Sequence, residues 1–168
     1  MNHLPYCPLC GARIDLDVPG SCPSCGEPHF RNARPTAGGL LVHEGKVLLL
    51  KRAIDPYRGY WDIPGGFCDG PELPVDAAVR EVFEETGIRA RAGRQIAMLL
   101  DTYTLGAVRF DTLNTYFELQ ADDIDIRLDP DENSEAGWFG PGDIPWPEIA
   151  FPHHQLQVLE AWCDGQVV

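Results

Sequence analysis

No apolar run in this 168-residue chain approaches the roughly 20 residues that a bilayer-spanning helix requires. Its first residues, MNHLPYCPLC, lack a basic stretch followed by a hydrophobic one, so a secretory leader is not expected either. The chain reads as a soluble protein of the cytoplasm. Positive charge is scarce: 13 Lys and Arg stand against 26 Asp and Glu, a formal charge of −13. That balance opposes general binding to nucleic acid or anionic lipid, so an anionic substrate must be held by metal ions and a few well-placed Arg or Lys side chains. Low-complexity segments are absent, and the one repeated pattern is a C-x-x-C-G that occurs twice. What remains is 44% hydrophobic, enough for one main domain with a core and a small appendage.

Six cysteines divide the chain. Cys7 and Cys10 form one C-x-x-C and Cys22 and Cys25 a second, in the matching frames CPLCG and CPSCG, while Cys68 and Cys163 stand alone and are expected as free thiols. A Gly after the second Cys lets backbone amides turn toward the sulfurs, and two such knuckles supply four thiolates in the closed tetrahedral set that suits a structural Zn²⁺. The 11 residues between the knuckles are fewer than the usual roughly 15 to 20, so the ribbon should be small. Disulfides are the competing pairing, disfavoured where no secretion pattern is seen. With little apolar sequence of its own, a ribbon domain over residues 1–33 should need its metal to fold, leaving 34–168 as the main domain.

Residues 66–88 carry the chemistry. Glu81, Glu84 and Glu85 fall within one arc of about 100° on a helix, and Val75, Ala78, Val79, Val82 and Phe83 occupy a separate arc that reads as the core face. Crowded carboxylates weaken a helix by a few tenths of a kcal/mol per pair, so a cation is expected beside them. Oxygen ligands with no neighbouring His or thiolate suit Mg²⁺ or Mn²⁺. For E-x-x-E-E alone, a solvated acidic surface is the plain alternative. The flanking residues decide against it. Gly66, Glu72, Arg80, Glu81, Val82, Glu84, Glu85, Gly87 and Ile88 satisfy every fixed position of G-x5-E-x7-R-E-U-x-E-E-x-G-U, where U is a bulky aliphatic residue. On these positions the chain resembles the Nudix hydrolases.

The resemblance implies metal-dependent hydrolysis of a nucleoside diphosphate linked to a second moiety, releasing a nucleoside monophosphate. It implies Glu81, Glu84 and Glu85 as metal-binding and catalytic carboxylates assisted by the Gly66 carbonyl, and an Arg80–Glu72 pair that orients the helix without doing chemistry. A general base is expected just before the strand bearing Trp138, with Glu135 first and Glu132 second and a merely exposed acidic loop as the alternative. Gly65 and Gly66 should permit positive φ and close backbone approach. Pro74 suits a first helical turn, Asp76 favours the positive end of the dipole, and Gly87 should end the helix as a left-handed cap, with Ile88 starting a strand.

Upstream, AGGLLVH and KVLLLKR around Glu44-Gly45 read as a hairpin, and their near-continuous aliphatic runs imply strands covered on both faces. A short strand is expected after Trp61, further strands near 88–92, 95–104, 108–119 and 137–139, and a last helix within 151–162 carrying apolar residues at 156, 159 and 162. That order predicts an α/β fold, an α/β/α sandwich around a mixed β-sheet preceded by the zinc ribbon, which the Nudix resemblance also implies. Arg52 and Arg58 flank the expected cleft, and either could grip a phosphate. Tyr57, Tyr60, Trp61 and Phe151 are candidate stacking rings, with ordinary packing as the alternative. His153 and His154 are expected as surface residues at a helix start.

A four-cysteine ribbon before such a domain resembles the NADH pyrophosphatase group and the ribbon-bearing ADP-ribose pyrophosphatase-like proteins. The S-Q-P-W-P-F-P motif of the first group is missing from residues 89–115, and IPWPEIAFPHH shares only fragments of it. ADP-ribose or a similar dinucleotide is therefore favoured over NADH itself. Two other readings compete: a nucleotide-sensing module without hydrolysis, which the complete carboxylate set opposes, and an RNA cap-removing hydrolase, which the acidic balance opposes. A homodimer is suggested by analogy with family members alone.

Overall fold

In the computed structural model, which describes residues 3–106 and 108–165, the chain falls into two units, Met1–Ala33 and Arg34–Val168. The first holds two short antiparallel pairs, β1 (His3–Tyr6) with β2 (Arg13–Asp17) and β3 (Gly20–Ser21) with β4 (Pro28–His29). Its two knuckles are built alike. Gly11 and Gly26 take left-handed φ of 72° and 76°, and their N–H groups donate to the carbonyls of Cys7 and Cys22, each at 2.9 Å. Among the described residues of this unit the buried side chains are Cys7, Cys22 and His29, so sulfur stands where hydrocarbon would otherwise form a core.

The second unit runs β5 (Arg34–His43), β6 (Lys46–Arg52), β7 (Trp61–Asp62), β8 (Gly65–Phe67), α1 (Pro74–Thr86), β9 (Arg91–Leu105), β10 (Val108–Gln120), β11 (Asn133–Phe139), one 3-10 turn (Trp146–Glu148) and α2 (Pro152–Cys163). Its mixed sheet has the order β11-β6-β5-β10-β9, parallel between β5 and β10 and antiparallel elsewhere. The expected hairpin forms, but its strands stay paired only at Val42↔Val47 and His43↔Lys46. Beyond that they splay, and β7 pairs with β6 while β8 pairs with β5. This opening positions the site.

The aliphatic runs of the hairpin serve two cores, because successive strand residues face opposite ways. Leu40, Val47 and Leu49 pack with Val158 and Leu159 of α2, whereas Leu41, Leu48 and Leu50 pack with Ala77, Ala78 and Val82 of α1. Fully burying each such Leu or Val contributes about 1.5 to 3 kcal/mol, which anchors one helix to each face and makes the layers α/β/α. Helix α1 starts at Pro74 and ends at Gly87, whose φ of 73° lets its N–H donate to the Phe83 carbonyl at 2.8 Å. Among the described residues no helix is long and apolar enough to cross a membrane.

Three local expectations are corrected. Ile88 starts no strand: it is buried against the α1 core, and its N–H donates to Thr86 Oγ1 at 3.2 Å. The two strands expected near 88–92 and 95–104 are one strand, β9, with register shifts opposite β10 near Phe117. There Gly93 lies so close to the Glu118 carbonyl that an added Cβ would stand 3.1 Å from it, as at a β-bulge. Phe83, placed on the core face by helical projection, is 42% exposed, with the Arg89 guanidinium 5.0 Å from its ring centre.

Candidate active site

The splayed hairpin opens into a cleft of about 280 Å³ whose lining draws on both of its strands, β7, β8, α1, β9, β10 and the start of α2. Glu81 and Glu85, one helical turn apart on α1, line it together with Gly65 and Gly66 of β8. Glu85 is buried. Its carboxylate accepts hydrogen bonds from the Gly65 N–H at 2.9 Å and from Asn133 Nδ2 at 3.2 Å. Burial and then the nearby charge of Asp62 push the Glu85 carboxyl up to about 8. Burial also raises Glu81, against the pull of Arg80.

Close approach accounts for both glycines, and Gly65 also takes a positive φ of 158°. Gly66 has no positive φ, contrary to expectation, but a Cβ on it would stand 2.6 Å from Glu81 Oε1, and one on Gly65 would stand 2.3 Å from the Ala37 carbonyl oxygen. The absent side chains leave room for the Glu81 carboxylate at Gly66 and for the β5 backbone at Gly65.

Arg80 uses all five of its N–H donors. Nε and Nη2 grip Glu72, both at 2.9 Å; Nη2 also reaches the Phe67 carbonyl at 3.0 Å; Nη1 bridges Glu81 and Glu84, both at 2.8 Å. One planar cation thus ties the loop before α1 to the helix. Its hydrogen bonds, with one from the Asp69 N–H, hold the Glu72 carboxyl down at about 2. Glu84 is 56% exposed and stands outside the cleft lining.

The remaining expected residues divide. Arg52 and Phe151 line the cleft, but the Arg52 guanidinium is already engaged by Asp62 at 2.5 Å and the Pro56 carbonyl at 2.7 Å, and lies 5.0 Å from the centre of the Phe151 ring. Arg58 is 63% exposed, 3.9 Å from Asp55, and outside the lining. Glu132 lines the cleft. Glu135 does not: it sits on β11, paired with Lys51 Nζ at 3.1 Å. A register shift between Asn133 and Glu135 turns Asn133 inward and leaves Glu135 exposed. Trp61 is core packing, 4.9 Å and edge-on to Phe139, and Tyr57 and Tyr60 sit on the rim, with Tyr57 edge-on to Phe151 at 4.8 Å.

Sequence reasoning missed a polar network on the far wall. His154, expected on the surface, is only 5% exposed, and its Nδ1 donates to Asp101 Oδ2 at 2.7 Å; His153 beside it is exposed as expected. Gln155 accepts from the Ile63 N–H at 3.1 Å and donates to Asp62. The available signal was the i, i+4, i+7 stripe of His154, Val158 and Ala161, all buried on α2. Asp62, Asp101 and Asn114 carried no local signal. They line the cleft from three different strands, β7, β9 and β10.

Among the described residues the four cysteines converge as a potential metal set, whereas Glu81, Glu84 and Glu85 do not. The Sγ atoms of Cys7, Cys10, Cys22 and Cys25 all lie within 4.8 Å of one another, with 3.8 Å between Cys7 and Cys25 and 3.9 Å between Cys10 and Cys22. Sulfurs about 2.3 Å from a tetrahedral Zn²⁺ would stand ~3.8 Å apart. In the cleft, Glu81, Glu85 and the glycine backbone offer oxygens alone, the donor set of hard divalent cations.

A family profile described as the NUDIX domain matches residues 32–161. The crystal structure of a NUDIX hydrolase from Nitrosomonas europaea superposes with a TM-score of 0.77 at 32% identity, covering 98% of this chain and 96% of that one. The ADP-ribose pyrophosphatase of Methanocaldococcus jannaschii is 29% identical over 120 residues, 70% of this chain and 67% of its own length. The NAD-capped RNA hydrolase NudC of Chromobacterium violaceum is 29% identical over 140 residues, 81% of this chain but 49% of its own. The chain therefore spans about half the length of that second relative.

Proposed function

Because the chain belongs to the NUDIX family of hydrolases, we propose that it hydrolyses the pyrophosphate of a nucleoside diphosphate joined to a second moiety, with ADP-ribose or a similar dinucleotide as the substrate. The observation that carries this reading is the pair Glu81, set against Gly66, and Glu85, held by the Gly65 N–H, in one cleft. Among the described lining residues Arg52 is the one Lys or Arg, and Asp62 already holds it. Such a cleft offers no row of cations for a terminal triphosphate; it suits an internal diphosphate with neutral groups on both sides.

Glu81, Glu84 and Glu85, with the Gly66 carbonyl, would hold Mg²⁺ or Mn²⁺. When bound there, the ion would lower the pKa of a water and neutralise charge on the phosphate oxygens. Glu132 would take the water proton ahead of Glu135; its membership of the cleft lining, with Glu135 outside it and engaged with Lys51, supports that order. In the reaction the water oxygen bonds to one phosphorus, the bridging P–O bond there breaks, and the bridging oxygen leaves with the other phosphate. Arg80 and Glu72 keep the carboxylate helix in register with the loop and touch no reacting atom. Cys7, Cys10, Cys22 and Cys25 would hold a structural Zn²⁺ with no open coordination position.

The test is a hydrolysis screen with Mg²⁺ and with Mn²⁺ against ADP-ribose, NADH, FAD, diadenosine polyphosphates and nucleoside triphosphates. AMP release from ADP-ribose, lost in Glu84→Gln at unchanged circular dichroism, is the expected result. A folded protein that turns over none of them, or a Glu84→Gln variant as active as wild type, overturns the assignment.

A further inference from the structure

The wall of the cleft opposite the carboxylates carries a histidine that the hydrolytic reading leaves unused. His154 is clamped between two rings, Phe151 at 5.8 Å and 22° and Tyr116 at 5.8 Å and 34°. Its Nδ1 faces Asp101 Oδ2 at 2.7 Å, and the second Asp101 oxygen is fixed by the Thr102 N–H at 2.6 Å. A carboxylate only accepts, so the imidazole proton resides on Nδ1 and Nε2 keeps its lone pair. Burial depresses the His154 pKa, against the pull of Asp101, in keeping with a neutral ring. Among the described residues no fully buried side-chain nitrogen or oxygen lacks a partner, yet Nε2 has none among those residues. That nitrogen is therefore open to the cleft that His154 lines.

A buried imidazole fixed in orientation and tautomer, with one acceptor left over, is a recognition element. We propose that His154 Nε2 is a specificity-determining acceptor for a neutral O–H or N–H donor on the substrate, and that Asp101 is the positioning residue that keeps it an acceptor. A sugar hydroxyl and the exocyclic amine of a base share this chemistry. The pairing leans on the hydrolase reading only for the identity of the ligand.

Three ligands separate the sources: ADP-ribose, its hypoxanthine counterpart IDP-ribose, which lacks the amine, and an ADP alkyl ester, which lacks the distal sugar hydroxyls. Wild type should favour ADP-ribose over one of the two analogues, and His154→Phe, which keeps the stacking but not the acceptor, should shrink that one ratio of kcat/KM by about tenfold, the worth of a neutral hydrogen bond. Asp101→Asn should shrink it equally although the imidazole remains, because an amide donor facing Nδ1 moves the ring proton to Nε2. Nitrogen NMR of the imidazole should report that exchange of protonated nitrogens, and rescue of neither ratio by Asp101→Asn is what a mere packing role would not produce. The ratios are also read as dissociation constants in Ca²⁺. Binding with this discrimination but no turnover in Mg²⁺ would keep the inference and remove the hydrolase reading. Failure to bind any of the three, equal losses for all of them in both variants, or an Nε2 proton already present in wild type would overturn it.

Discussion

The two units of this chain use charged and metal-seeking groups in opposite ways. In the first, four sulfurs sit where a hydrocarbon core would be, and among its described residues Cys7 and Cys22 account with His29 for the buried side chains. In the second, two apolar clusters flank a sheet and hold the fold together, while carboxylates line a cleft cut into it. Metal in the first would substitute for a core; metal in the second would serve reaction chemistry on a scaffold packed from its own apolar clusters.

The sharpest break in that comparison is removal of the thiolate-bound ion. Structural Zn²⁺ in small domains is worth on the order of 10 kcal/mol of folding free energy, so a strong zinc chelator, or Cys22→Ser, should collapse the amide NMR dispersion of residues 3–33 and leave the signals of the second unit in place. Loss of both together would dissolve the contrast. Next in size, Glu81→Gln should lower kcat by about 100- to 1000-fold while the thermal midpoint of the second unit stays within a few degrees, since the residue serves a transition state and not the core. A large fall in that midpoint would show that the cleft carboxylate is structural.

Arg80→Lys should act more mildly, by about 10- to 100-fold in metal affinity or activity, because an ammonium cannot satisfy five separate acceptors from one plane. Titration of Mn²⁺ binding by calorimetry checks it. The smallest effect is on pH dependence. His154 is held below its ordinary value of 6.5, so the unfolded chain takes up a proton before the folded one does, and stability present above that value drains as pH falls below it. Glu85, whose raised carboxyl keeps its proton in the folded chain over the same range, contributes a slope of the opposite sign, so the His154 part is the difference in slope of urea midpoints between wild type and His154→Phe from about pH 7.5 to 5.5, at most one proton. A difference of the opposite sign would mean that Asp101 outweighs burial at His154.

Legibility followed the range of the interactions. Residues 66–88 could be read because their constraints are local: a turn, a helical arc, a cap at Gly87 and a cation within reach of four carboxylate oxygens. The hairpin and both helices were equally plain from period and punctuation. Phe83 was misjudged because it stands about 100° from Val82 on the helix, at the border where projection cannot tell core from edge. That Glu132 lines the cleft and Glu135 does not follows an irregularity one residue long, which no spacing rule anticipates. Asp101 and His154 are 53 positions apart and meet only because β9 and α2 share a face of the sheet. Two adjacent histidines gave no hint that one would be buried.

The early parting of the β5 and β6 ladder has a further consequence. Because the hollow is a gap between rungs and not a bowl of loops, it comes with the connectivity of the sheet itself. Chains sharing this wiring can exchange the tenants of the walls, turning one pyrophosphate preference into another, without having to reinvent the vestibule. Zipping the two strands together past Val42 would seal it outright, whatever side chains were kept.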